Sequence, residues 1–225
     1  MLGGIVKYLQ KGNKDVVISY KLLRRLIGFL GILLPLICIS FGWFFGDYSI
    51  QQSISIYYYT NVRDFLVGVL FVMSLFLMTY KGAYRIDNWI TTITGIAGLC
   101  IAVFPCYNHK YETIRVGLFQ LYPEVSNYFH LSAAALFFLL LAINSIFLFT
   151  RKVGVTTKQK LKRNVVYITC GIIILISFLG LVISMFVFSY EQRFENKIVL
   201  LFEAIALLAF GISWLVKGQT IIPDR

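Results

Sequence analysis

The chain has 225 residues, of which 59% are hydrophobic and 14% charged, with a net charge of +11. Soluble domains carry about a quarter charged residues; the deficit here comes from long apolar runs, and no polar segment is long enough for a separate soluble domain. An ordinary soluble enzyme is thereby excluded, and the expected class is an all-α polytopic membrane helix bundle, a single domain over residues 1–225.

The opening stretch, MLGGIVKYLQKGNKDVVISYKLLRR, lacks an apolar core ahead of a small-residue cleavage site and is not read as a signal peptide. Six apolar segments follow, at about 26–46, 58–80, 88–106, 129–150, 165–189 and 198–216. Each is near the roughly 20 residues that cross a hydrocarbon core. Sixteen of the 21 Lys and Arg lie in the N-terminal segment, in the loops after the second and fourth segments, or in the tail. The positive-inside rule then predicts a multi-pass inner-membrane protein with both termini cytoplasmic. Trp43, Trp89 and Trp214 fall near span ends, where an aromatic belt sits.

The second span raises the main functional question. From Phe65 to Tyr80 is 16 residues, about 24 Å of helix against a core of roughly 30 Å. The helix is therefore expected to begin upstream, within YYYTNVRD, which carries Arg63 and Asp64 into the outer leaflet. At helical spacing Tyr57, Asn61, Asp64 and Gly68 share one face, flanked by Arg63. The third span presents Thr91, Gly95, Gly98 and Ala102 as a small-residue packing stripe, and Pro105 stops it. The outer loop that follows contains His109 and Glu112, and its TIRVGLFQLY stretch is expected to lie along the interface as a short helix. His130 opens the fourth span, and Glu203 enters the sixth from the outer side.

Arg63, Asp64, His130 and Glu203 are thus expected at one depth. Intramembrane ionisable groups mark a function or a partner by default. With Tyr57 and Asn61 they form the candidate ligand-binding set. The alternative is structural: Arg63 pairs with Asp64 or Glu203 and locks the helices together. No catalytic residue is assigned. Ser53 or Ser55 with His130 and Asp64 would make a Ser-His-Asp arrangement, but no GxSxG motif supports it. Two histidines and four cysteines without CxxC spacing point to no metal and no cofactor. The basic run RKVGVTTKQKLKRN lacks interleaved aromatics, which disfavours nucleic acid and favours contact with anionic headgroups of the bilayer.

The order SISIYYYTNVRDFLVG, then FP closing the third span, then HLSAAALFFLLLA and FEAIALLAFGISWLVKG, resembles small bacterial multipass proteins of unknown function. These are similar in style to DUF998 and Frag1/DRAM-like six-span proteins. The resemblance covers most of the chain from Ser53 onward and marks Arg63, Asp64, His130 and Glu203 as matching positions, with no activity to carry over. Alkaline-ceramidase and PAQR-type hydrolases look superficially similar, but this chain lacks their set of metal-ligating histidines.

Three functions follow as expectations. The first is an outer-leaflet cavity that binds or translocates a small polar or lipid-headgroup ligand. The second is a membrane accessory or effector working beside a cytosolic bacterial defence complex of CRISPR type, through a protein partner or as a homo-oligomer. The third is an intramembrane hydrolase.

Overall fold

Among the described residues, seven α-helices account for most of the chain: α1 (Leu2–Phe45), α2 (Arg63–Thr79), α3 (Arg85–Val103), α4 (Pro123–Ile143), α5 (Lys158–Val187), α6 (Tyr190–Asn196) and α7 (Ile198–Lys217). They are seen in a computed structural model, which describes residues 2–46, 49–152 and 157–223, with side chains from residue 20 onward except at 194. Arg225 and the side chains of Lys7, Lys11 and Lys14, used above for orientation, lie outside what is described.

Among the described residues, five helical stretches are long and apolar enough to cross a membrane: Tyr20–Phe45, Arg85–Val103, Pro123–Leu148, Lys158–Val187 and Ile198–Lys217. The outer face of α5 is apolar over its whole length. Leu161, Val165, Ile168, Ile172, Ile176, Leu179, Ile183 and Phe186 are all exposed and recur every three or four residues along one stripe. In water such a stripe would be a large apolar patch.

The span boundaries differ from expectation in instructive ways. The second span does not begin at residue 58. Residues 55–59 form a 3-10 turn, Thr60 is extended, and α2 starts at Arg63 with 17 residues, about 26 Å. The expected common face of Tyr57, Asn61, Asp64 and Gly68 therefore does not exist: Tyr57 is buried, whereas Asn61, Asp64 and Gly68 are exposed. The fourth span starts earlier than expected, with Pro123 in the first helical turn, a position where its missing N–H costs nothing. His130 consequently sits about two turns inside that helix rather than opening it. The TIRVGLFQLY stretch is not a helix: Val116 and Leu121 pair as an antiparallel bridge around Gly117, whose φ of 74° suits glycine.

The helices pack in a closed ring, α1–α2–α3–α4–α5–α7 and back to α1. The stripe of Thr91, Gly95, Gly98 and Ala102 is buried, and Gly95 and Gly98 lie against Ser74 of α2. On the other side of the ring, α1 and α7 cross at Gly28 and Gly211. Large side chains fill the middle, including Met73, Phe137, Leu141, Ile174 and Phe210. One end of the ring is covered by residues 49–62, the loop 104–122 and α6, and is called the capped end below. The other is called the basic end; it carries Arg24, Asp87, Arg151 and Lys217.

Candidate functional site

At the capped end the chain departs from regular helix, and its freed backbone groups need partners. Glu203 supplies one. It stands in the second turn of α7, and its Oε2 accepts the Ile54 N–H at 2.5 Å. The 3-10 turn of residues 55–59 is thereby anchored at its N-terminus by a carboxylate from another helix, as a capping side chain would do. Leu200 N–H donates to Gln52 O at 2.9 Å and Gln52 Nε2 donates to Tyr190 Oη at 3.0 Å, which ties the same segment to α7 and α6. Tyr57 is fully buried; its ring lies against Gly42 of α1, where any Cβ would overlap it, and its hydroxyl accepts from Gln51 N–H at 3.4 Å.

His130 completes the arrangement from α4. Its Nδ1 lies 2.7 Å from the carbonyl oxygen of Phe104, where α3 ends ahead of Pro105. A carbonyl only accepts, so Nδ1 carries the proton and Nε2 of the neutral ring is an acceptor. Nε2 lies 3.0 Å from Ser55 Oγ, and Ser55 Oγ lies 3.5 Å from Glu203 Oε1. The serine hydroxyl has one proton and two acceptors in reach; the nearer is His130. Four elements thus meet in one chain of polar groups: Phe104 carbonyl, His130, Ser55 and Glu203.

This chain forms the head of a cavity of about 40 Å³ inside the ring. The walls below it are apolar, among them Leu34, Leu70, Ala134, Phe137 and Leu207. The space takes about two or three water-sized groups. A hydrogen-bonding end group of a few heavy atoms fits there; a whole lipid does not.

The other expected site residues stand elsewhere. Arg63 is exposed and its guanidinium lies 4.8 Å from the centre of the Tyr58 ring. It makes neither of the ion pairs proposed for it: among the described residues the ion pairs are Arg151–Asp87 and His109–Glu112. Asp64 is exposed in the first turn of α2, where a negative charge complements the helix dipole. Asn61 Nδ2 donates to Phe45 O and closes the end of α1. So His130 and Glu203 are brought together, Tyr57 supports the segment between them, and Asn61, Arg63 and Asp64 are exposed and do not line the cavity.

The loop above the site is tied down in turn. Tyr59 donates to Cys106 O at 2.7 Å and stacks on Tyr111. Tyr107 donates to Glu112 at 2.6 Å, and His109 contacts the same carboxylate oxygen. Those two partners, Tyr107 first, hold the Glu112 carboxyl below its usual pKa. His109 also meets Tyr190 of α6 edge to face. Sequence reasoning places Ser55 only in a hydrolytic triad, not in the ligand-binding set, and misses the Phe104 carbonyl altogether. Ser55 carried a signal, since it sits in the same short segment as the tyrosines; a backbone carbonyl carries none.

Comparison with protein-family models, with curated proteins and with solved structures finds no match to this chain.

Proposed function

We propose that the chain is a six-span inner-membrane protein whose capped end binds a small polar or lipid-headgroup ligand at Ser55, His130 and Glu203. The short α2 makes the sixth crossing together with the 3-10 turn ahead of it. Both termini then lie at the basic end and face the cytoplasm, where the loops meet anionic headgroups. The observation that carries the reading is the His130–Ser55–Glu203 chain at the head of an apolar-walled cavity. A hydrogen-bonding triad of this kind is costly inside a bilayer unless it works, and a cavity with few convergent polar groups is the usual form of a ligand site.

Filling the cavity tests this directly. Ala134 lines it, and Ala134→Phe leaves every polar group of the triad in place. Wild-type protein extracted from membranes is expected to retain a bound small molecule in native mass spectrometry, and Ala134→Phe to lose it at equal folded yield. Equal retention by the two proteins would sink the proposal.

One observation favours a second reading. A serine Oγ 3.0 Å from a histidine Nε2, with Nδ1 held by a carbonyl, is the arrangement of an activated nucleophile and its base. Ser55 would attack an ester carbonyl while His130 takes its proton and returns it to the leaving alcohol; water would then release the acyl group. A fluorophosphonate probe is expected to label the wild type and not Ser55→Ala if this holds. A wild type that stays unlabelled confines the site to binding.

A further inference from the structure

The basic end, about 21 Å along α7 from Glu203, holds a second polar cluster that does not depend on the first. Asp87 is buried at the start of α3, and its Oδ1 accepts from Arg151 Nη1 at 2.7 Å. The Lys217 ammonium, at the end of α7, lies 4.8 Å from the centre of the Phe149 ring. Arg24 of α1 lies 5.5 Å from the centres of both the Tyr20 and Tyr80 rings. Tyr80 and Phe149 each meet Trp214 edge to face, so the cations rest on one continuous aromatic wall. Such faces attract cations and fix their positions.

Asp87, Arg151 and Lys217 line a cavity of about 30 Å³, together with Tyr80, Asn144 and others. One donor of this region, Arg24 Nε, is buried without a hydrogen-bond partner among the described residues. The helix wall is also irregular here: residues Asn144–Leu148 form a π-helical turn, a feature frequent at functional sites. Arg24 and Arg151 bring two guanidinium charges, Lys217 brings a third basic group, and Asp87 brings one anion that is already engaged by Arg151. Like charges gathered at low dielectric repel, and an anion placed between them relieves that repulsion.

We propose that the mouth of this aromatic-walled basin binds a phosphoryl group, with Lys217 as its floor, Arg151 at its half-exposed rim and Arg24 adding charge from behind the Tyr80 ring. A guanidinium fork and an ammonium point charge together suit phosphate oxygens. Basic pockets between membrane helices commonly take the headgroups of anionic phospholipids. The same chemistry also serves a soluble phosphate, so the source is decided by experiment.

The test uses the full chain in phosphatidylcholine nanodiscs, titrated with phosphatidylglycerol, and separately with inorganic phosphate. The wild type is expected to bind phosphatidylglycerol saturably, and Lys217→Met to weaken that binding about tenfold, or 1.4 kcal/mol. Lys158→Met removes an exposed charge from the same end and is expected to change affinity less than about twofold, as diffuse attraction would. If Lys217→Met does not fold, Arg151→Gln reads the same loss. Competition by inorganic phosphate assigns the site to a soluble anion; absence of competition assigns it to a lipid headgroup. Non-saturable binding to the wild type, or equal effects of Lys217→Met and Lys158→Met, overturns the proposal.

Discussion

Gly211→Leu is expected to abolish the monodisperse folded protein, whereas Gly68→Leu is expected to leave it intact. A Cβ at Gly211 would stand 2.6 Å from the carbonyl oxygen of Gly28, and a Cβ at Gly28 would stand 2.8 Å from the carbonyl oxygen of Gly211. The obstruction is backbone on both sides, so no rotamer change relieves it. Within a bilayer the lipid tails are as apolar as the helices, and α1 and α7 hold together by close van der Waals packing rather than by expulsion of water. Overpacking a tight site costs about 1–3 kcal/mol even where side chains can yield; here the two helices must separate. Gly68 has nothing within 4 Å of an added Cβ. Leucine there points into open space and gains helix propensity of up to about 1 kcal/mol. Thermal melts followed by size-exclusion fluorescence would show the contrast, and similar midpoints for the two variants would refute the crossing.

What the sequence makes legible is height along the helix bundle. Long apolar runs place each helix, and one ionisable residue inside a run stands out against its neighbours. His130 and Glu203 are visible for that reason, and they do meet through Ser55. Height alone does not decide which side a residue faces. Arg63 and Asp64 sit at the start of a short helix and turn outward, because a stacking tyrosine and a helix N-terminus satisfy them there. Tyr57, Tyr58 and Tyr59 are where the expected length of α2 fails. An aromatic run continuous with a span reads as more helix, yet the Glu203 carboxylate takes the Ile54 N–H and holds a 3-10 turn instead. That carboxylate is 149 residues away, and no local pattern reports it. Asp87, Arg151 and Lys217 are hidden for the opposite reason. Charges at span ends are expected for orientation alone, so their convergence on one cavity emerges only from the packing of α3, the segment after α4, and α7.

Glu203→Ala is expected to lose both the ligand and the shape of the capped end. Removal of the carboxylate strands the Ile54 N–H away from water, at a cost of about 1–3 kcal/mol for an unmade buried hydrogen bond. It also removes one neighbour of Ser55 Oγ, so the link from α7 to the 49–62 segment rests on Gln52 alone. Hydrogen exchange should therefore accelerate at Ile54, Ser55 and Ile56 while the amides of α3 and α5 keep their protection. Glu203→Gln separates the two roles. Its amide oxygen still accepts from Ile54, so the segment should stay protected and the melting midpoint should fall by less than in the alanine variant. The amide puts a donor where the carboxyl has an oxygen, so a ligand with a donating end group should bind more weakly to the Glu203→Gln variant than to wild type. If the two variants lose protection and ligand in the same proportion, Glu203 is a structural cap and the binding role passes to His130 and Ser55. If Glu203→Gln keeps full protection yet retains little ligand, the carboxylate itself touches what the cavity holds.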